Sequence, residues 1–201
     1  MCTCRPRSSR PCSSRSLTAT RRSTGRWRPP LSSQELDLWQ SIALDAEREG
    51  SLWKEALRPR GARDREPVFS PLADPRFAIA VETIYEGYLV HYGRPRIFAP
   101  GDGDTVLLLG DYLYAQGLVR LSSAGSVEAV ADMGELISLC AQLRAEHSSD
   151  DGAAWAASVA LLGQGVLKET EDTEELLVRA REAAGDDAVE RALEAHARRV
   201  G

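Results

Sequence analysis

Apolar residues recur along this chain at three- and four-residue intervals, and no stretch keeps the two-residue alternation of a half-buried strand. Ser32-Ser-Gln-Glu35 has the form of a helix capping box, and Leu36, Trp39 and Ala43 carry a buried stripe on from it. After Leu57 comes a Pro- and Arg-rich loop, through Arg58-Pro-Arg and on to residues 67–71, long enough to be functional or disordered. Asp74-Pro75 then supplies an N-cap and a first-turn proline. In the helix that follows, Phe77, Val81, Ile84, Tyr85 and Tyr88 form one apolar stripe. Asp104 is placed to cap the next helix. Ser126 caps another, which sets Val127, Val130, Ala131, Gly134, Ile137 and Ala141 on one face, many of them small enough for close packing. Residues 153–167 are Ala-rich and apolar nearly all round, which predicts a central helix. Asp172-Thr-Glu-Glu175 and Asp187-Ala-Val-Glu190 are capping boxes on two charged helices separated by Gly185. The pattern predicts an all-α helical bundle.

Two places break local rules. Gly110-Asp111 interrupts the apolar run from Leu107 to Leu113, although glycine costs a helix interior about 1 kcal/mol and a buried carboxylate needs a partner. Gly110 is therefore expected against a neighbouring helix backbone, with a polar contact for Asp111. Glu82 and Glu86 stand one turn apart on one helix face. They fall beside the apolar stripe, an edge where solvated acids are common; the other reading is a pair facing a cavity.

Charge divides the chain. The first 34 of 201 residues hold eight of the 25 basic residues and no acid, leaving 17 against all 30 acids, a net −13. An acidic body is a poor partner for nucleic acid. Residues 1–31, rich in Arg, Ser and Pro, are expected to be a disordered tail: a targeting peptide, a weak binder of anionic surfaces or a misassigned start. Residues 32–201 are expected to form one helical domain. Cys2, Cys4 and Cys12 lie in the tail and Cys140 in the body, with neither zinc-site spacing nor a disulfide framework, which fits a cytoplasmic protein. No apolar run approaches the roughly 18 residues needed to span a bilayer.

Three segments in succession carry the candidate chemistry: Glu82-Thr83-Ile84-Tyr85-Glu86, His91-Tyr92-Gly93-Arg94-Pro95-Arg96, and Leu107-Leu-Leu-Gly110-Asp111-Tyr112-Leu113. Together they resemble the polyprenyl synthetase family of trans-prenyl diphosphate synthases, with its Asp-Asp-x-x-Asp helix, Arg-Arg-Gly-x-Pro turn and Leu-Leu-x-Gly-Asp-Tyr-Leu helix. The likeness covers roughly residues 77–165, with Ala141-Gln142 in place of Gly-Gln and Gly152-Ala-Ala-Trp155 in place of a helix beginning Lys-Thr-Ala. It implies part of the isoprenoid synthase fold, Mg²⁺ ligation by Glu82 and Glu86, and diphosphate binding by Arg94 and Arg96. Gly110, Asp111 and Tyr112 would be the structural motif. Such sites need this charge because ionising an allylic diphosphate leaves an anion that Mg²⁺ and arginine neutralise.

The departures shape the functional expectation. Thr83 stands at the second acid, the Arg-Arg and Lys-Thr pairs are missing, and Asp186-Asp187-Ala-Val-Glu190 reads as a helix cap rather than a second acid motif. The resemblance thus implies a truncated, catalytically degenerate or regulatory subunit of isoprenoid biosynthesis, in a homo- or heterodimer with a catalytic prenyl synthase subunit or binding an isoprenoid diphosphate itself. The alternatives are an active Mg-dependent prenyl diphosphate synthase, a prenyltransferase, and a helical scaffold or interaction protein.

Overall fold

In the computed structural model, which describes Met1 and residues 33–148, 151–170 and 172–200, the described residues form an all-α structure without strands. In chain order the helices are α1 (Ser33–Glu49), α2 (Ser51–Ala56), α3 (Ala78–Tyr92), α4 (Gly103–Ser123), α5 (Val127–Ala145), α6 (Asp151–Ala160), α7 (Val166–Glu169), α8 (Thr173–Ala184) and α9 (Asp186–Val200). One isolated antiparallel bridge, Leu57 to Phe98, ties the end of α2 to the turn after α3. No described helix is long and apolar enough to cross a membrane. The expected tail, the Ser32 cap and the side chain of Leu36 lie outside the described residues.

Helix α3 lies at the centre of the described helices. Every residue from Ala80 to Val90 is buried, because two apolar clusters close on it from different sides. One brings Trp39 and Ile42 of α1 against Val90, Phe98, Leu109 and Leu113. The other brings Tyr85 and Tyr88 against Phe69, Met133, Trp155 and Ala195. The rings of Phe69, Tyr85, Tyr88 and Trp155 pack edge-on or stacked at centroid separations of 5.0–5.8 Å, geometries that aromatic quadrupoles favour.

Helices α3 and α4 approach closely because glycines line their contact. A Cβ at Gly87 would meet the Gly110 carbonyl oxygen at 2.9 Å, and one at Gly117 would meet Ile84 Cγ1 at 2.2 Å and the Ala80 carbonyl at 3.0 Å. Gly110 thus lies against the α3 backbone, as its place in the run predicts. Its own outer side is covered by the His91 ring, whose Nε2 stands 3.3 Å from Asp111 Oδ1. Asp111 has its polar partner, but it is 66% exposed, not buried. The apolar run around it was misleading, since Leu107 and Leu108 also face outward. Tyr112 stacks on Trp53 of α2 at 5.4 Å.

Side-chain caps open α5 and α8, and Asp74 caps the 3-10 turn Pro75–Phe77 that leads into α3. Asp74, Ser126 and Asp172 accept from the backbone N–H of Arg76, Ala129 and Glu175 at 3.0, 3.1 and 2.9 Å. The start of α4 differs from expectation: Asp102, not Asp104, is the cap. It accepts from Thr105 N and Oγ1, both at 2.8 Å, and leaves Asp104 in the first turn, where an acid favours the dipole.

Two further expectations are corrected. Helix α5 buries Ala129, Asp132, Met133, Leu136 and Cys140, whereas Val127, Ala131 and Ala141 of the predicted face are exposed. Small and apolar residues all round α5 left its orientation open, and Asp132 decided it. The Asp132 carboxylate accepts from Gly163 N at 2.7 Å and Gly165 N at 3.1 Å. The same contact ends the predicted 153–167 helix early: Gly163 and Gly165 take φ of 91° and 71°, which glycine reaches without strain. The chain turns there and restarts as α7.

Candidate functional site

Glu82 and Glu86 lie one turn apart on α3 and are fully buried, at 0% exposure. Neither sits on the solvated edge that the sequence allowed. Between them stands Arg96, 2% exposed, delivered by the turn that follows α3. Its Nε donates to Glu86 Oε2 at 2.9 Å and its Nη1 donates to Glu82 Oε2. Backbone donors take the other oxygens. Val68 N and Ser70 N reach Glu82 Oε1 at 3.0 Å, while Arg96 N and Ile97 N reach Glu86 Oε1 at 2.8 Å. The guanidinium also donates to the carbonyls of Glu66 and Glu82, both at 3.1 Å, and lies over the rings of Trp39 and Tyr85 at 4.6 and 5.0 Å. Burial alone would lower the Arg96 pKa, but the two carboxylates hold it above its ordinary value. The cation of this cluster is permanent.

A magnesium ion does not fit this arrangement. Mg²⁺ demands near-octahedral oxygen ligands and keeps several waters, whereas each carboxylate oxygen here already accepts from nitrogen. Among the described residues, no three His, Cys, Asp or Glu side chains converge as metal ligands. Thr83, at the second acid position, donates to the Ile79 carbonyl at 2.5 Å and accepts from Arg120, which pairs with Asp45 at 2.5 Å.

Arg94 and Arg96, adjacent but for Pro95, diverge. Arg96 turns into the core, while Arg94 remains exposed, its Nη2 donating to the Arg198 carbonyl and its N–H to the Arg199 carbonyl at 2.9 Å. With Arg198 and Arg199 it lines an open cleft of about 410 Å³. Asp64 and Glu66 line the same cleft and pair with Arg199 at 2.7 and 2.9 Å. Part of its positive charge is therefore already neutralised.

A second buried polar cluster has no counterpart in the sequence reading. Asp151, at the start of α6, accepts from Tyr88 and lies 2.6 Å from Arg144 Nη2. His196 of α9 stands between Asp151 Oδ1, at 3.4 Å, and the Tyr85 hydroxyl, at 3.0 Å. These groups join α3, α5, α6 and α9. Nothing local announces the cluster, because Asp151 opens an apolar helix, as a cap would, and His196 lies 45 residues on. Burial pushes both tyrosine hydroxyls well above their ordinary pKa, so neither supplies a phenolate near neutrality. The cluster fastens four helices together through buried polar contacts.

Its pH response is predictable. Burial favours the neutral form of Asp151, yet hydrogen bonds from His196 and Tyr88 and the nearby positive charges outweigh it and hold the carboxyl below its ordinary 3.8. Burial likewise lowers His91 below 6.5, more than Asp111 raises it. An imidazole held low takes up its proton more readily in the unfolded chain, so stability falls as pH drops below about 6.5. An acid held low stabilises above its unfolded value and loses that contribution as pH falls through the lowered one. Both act in one direction. The melting temperature should decline from pH 7 to 5 and the His91→Gln variant should lose that first decline; an unchanged slope in the variant would contradict the assignment.

No family model, curated protein or solved structure matches the chain.

Proposed function

We propose that the chain is a polyprenyl synthetase-like subunit of isoprenoid biosynthesis, without chain-elongating activity of its own, that acts on a catalytic prenyl synthase subunit. The observation carrying this reading is the Glu82–Arg96–Glu86 cluster. Where the resemblance sets metal-binding acids, an arginine of the same chain takes the place of the cation. That exchange keeps the acids useful to the fold while removing what would neutralise a departing diphosphate. Arg96, committed to the core, is withdrawn from ligand binding as well, and Arg94 alone of the two faces solvent. The Gly87–Gly110 contact supports the same reading, since it gives the Gly-Asp-Tyr segment a packing role that outlasts the chemistry. A cytoplasmic location goes with it.

The test is a chain-elongation assay. Supplied with Mg²⁺ and both allylic and homoallylic diphosphates, the purified chain should give little or no product. Each lost charge-stabilising contact removes about 10²–10³-fold in rate, even though such losses do not simply add. Adding the catalytic prenyl synthase subunit of the same genome should produce polyprenyl diphosphate or change its yield or length. Robust turnover by the chain alone, lost in Glu82→Gln at unchanged helicity, would make it an enzyme and end this reading.

A further inference from the structure

Between Ala56 and Val68 no side chain is buried, and residues 59–62 and Asp64 are exposed. This segment nevertheless lies across the buried ion cluster. The Glu66 carbonyl accepts from Arg96 Nη1 at 3.1 Å, and the Asp64 N–H donates to the Arg96 carbonyl at 3.0 Å. A stretch of chain without apolar anchors opens at low cost unless polar contacts hold it.

Those contacts differ between its two ends. At the start they are backbone bonds: the Arg58 N–H donates to the Ile97 carbonyl at 2.9 Å and the Ala99 N–H to the Ala56 carbonyl at 2.7 Å, on either side of the Leu57–Phe98 bridge. Towards the end they are ion pairs with the last turn of α9. Arg199 Nη2 lies 2.7 Å from Asp64 Oδ2 and 2.9 Å from Glu66 Oε2, and Arg198 Nη2 lies 3.5 Å from Glu66 Oε1. Arg199 is itself buried, and its Nη1 donates to the Ala195 carbonyl at 2.8 Å, which fixes the guanidinium on its own helix. Buried Val189, Ala192, Ala195 and His196 fasten α9 to the bundle. The helix is the fixed side and the segment the movable one.

We propose that residues 59–66 form a strap over the Arg96 site, hinged at the Leu57–Phe98 bridge and latched by Arg199 to Asp64 and Glu66. Releasing the latch swings the strap outward while the bundle stays folded. Arg96 then loses the Glu66 carbonyl and meets solvent on that side, but keeps both glutamates. The latch is ionic and its two acids, 46% and 27% exposed, are open to screening. Salt therefore loosens the strap before it reaches the buried pairs beneath.

Backbone hydrogen exchange of the full chain, read residue by residue by NMR, tests this. Arg199→Met removes the latch from one side and the double variant Asp64→Asn, Glu66→Gln removes it from the other. The double variant changes only partly exposed carboxylates, so it carries the test should Arg199→Met fail to fold. In each, the Asp64 amide should exchange at least about tenfold faster, while Arg58 and Ala99 at the hinge and Tyr85 within α3 keep their wild-type rates. Sodium chloride at about 1 M, where charges are screened beyond about 3 Å, should speed the Asp64 amide in the wild-type chain and leave the variants unchanged. An Asp64 amide at its wild-type rate in the folded variants would show that Arg199 does not hold the segment. Equal acceleration at Arg58, Ala99 and Tyr85 would show a general loosening of the fold, and either result overturns the proposal.

Discussion

Arg96→Met should destabilise the protein by about 3–5 kcal/mol, the usual cost of removing one partner from a buried ion pair. That is a large share of the roughly 5–15 kcal/mol that separates a folded domain from its unfolded state. Methionine fills much of the arginine stem, so the loss is one of charge more than volume. Glu82 and Glu86 would keep their four backbone donors but lose the side-chain donors that Arg96 supplies. Two carboxylates would then be buried with no cation. Adding Glu82→Gln and Glu86→Gln to Arg96→Met should recover most of the loss, since each glutamine keeps a carbonyl for the backbone N–H groups. Urea unfolding measures all of this. A single variant within about 1 kcal/mol of wild type would mean that Arg96 is not what balances the acids.

Gly87→Ala and Gly134→Ala should move stability in opposite directions. Alanine favours a helix interior by up to about 1 kcal/mol over glycine at either position. At Gly134 nothing lies within 4 Å of the added Cβ, so that gain should appear as a higher melting temperature. At Gly87 the methyl group meets the Gly110 carbonyl at 2.9 Å and Leu113 Cβ and Tyr114 Cδ1 at 3.1 Å. A carbonyl held in a helix cannot step aside as a side-chain end can. The two helices must separate, and overpacking of this type costs about 1–3 kcal/mol. A melting temperature that rises in both variants would show that α3 and α4 do not meet as closely as described.

The all-α architecture was legible because helical periodicity, caps and glycine stops act over a few residues. Asp74, Ser126 and Asp172 could be read from their neighbours alone. The start of α4 was harder: Asp102 and Asp104 stand within one turn, and Thr105, able to donate twice, selected Asp102. Orientation was less legible still. Helix α5 carries small or apolar residues on several faces, so Asp132 chose its buried side through two glycine N–H groups more than 30 residues away.

The candidate site shows the same limit more sharply. Glu82 and Glu86 were identifiable as a pair, but their surroundings were not. Their backbone donors come from the loop before α3 and the turn after it. Their counter-ion, Arg96, drew notice as a ligand contact, because a basic residue near two acids suits either role. What separates the roles is burial on both sides of α3, and that depends on α1, α6 and α9 closing together. No spacing rule within α3 records it.

Magnesium titration of the purified chain, followed by calorimetry in the absence and presence of inorganic diphosphate, tests the central claim most directly. With Arg96 already between the two glutamates, millimolar Mg²⁺ should show no saturable binding that depends on Glu82 or Glu86. Saturable Mg²⁺ binding that disappears in Glu82→Gln or Glu86→Gln, with helicity retained, would contradict it and restore the two acids as a metal clamp.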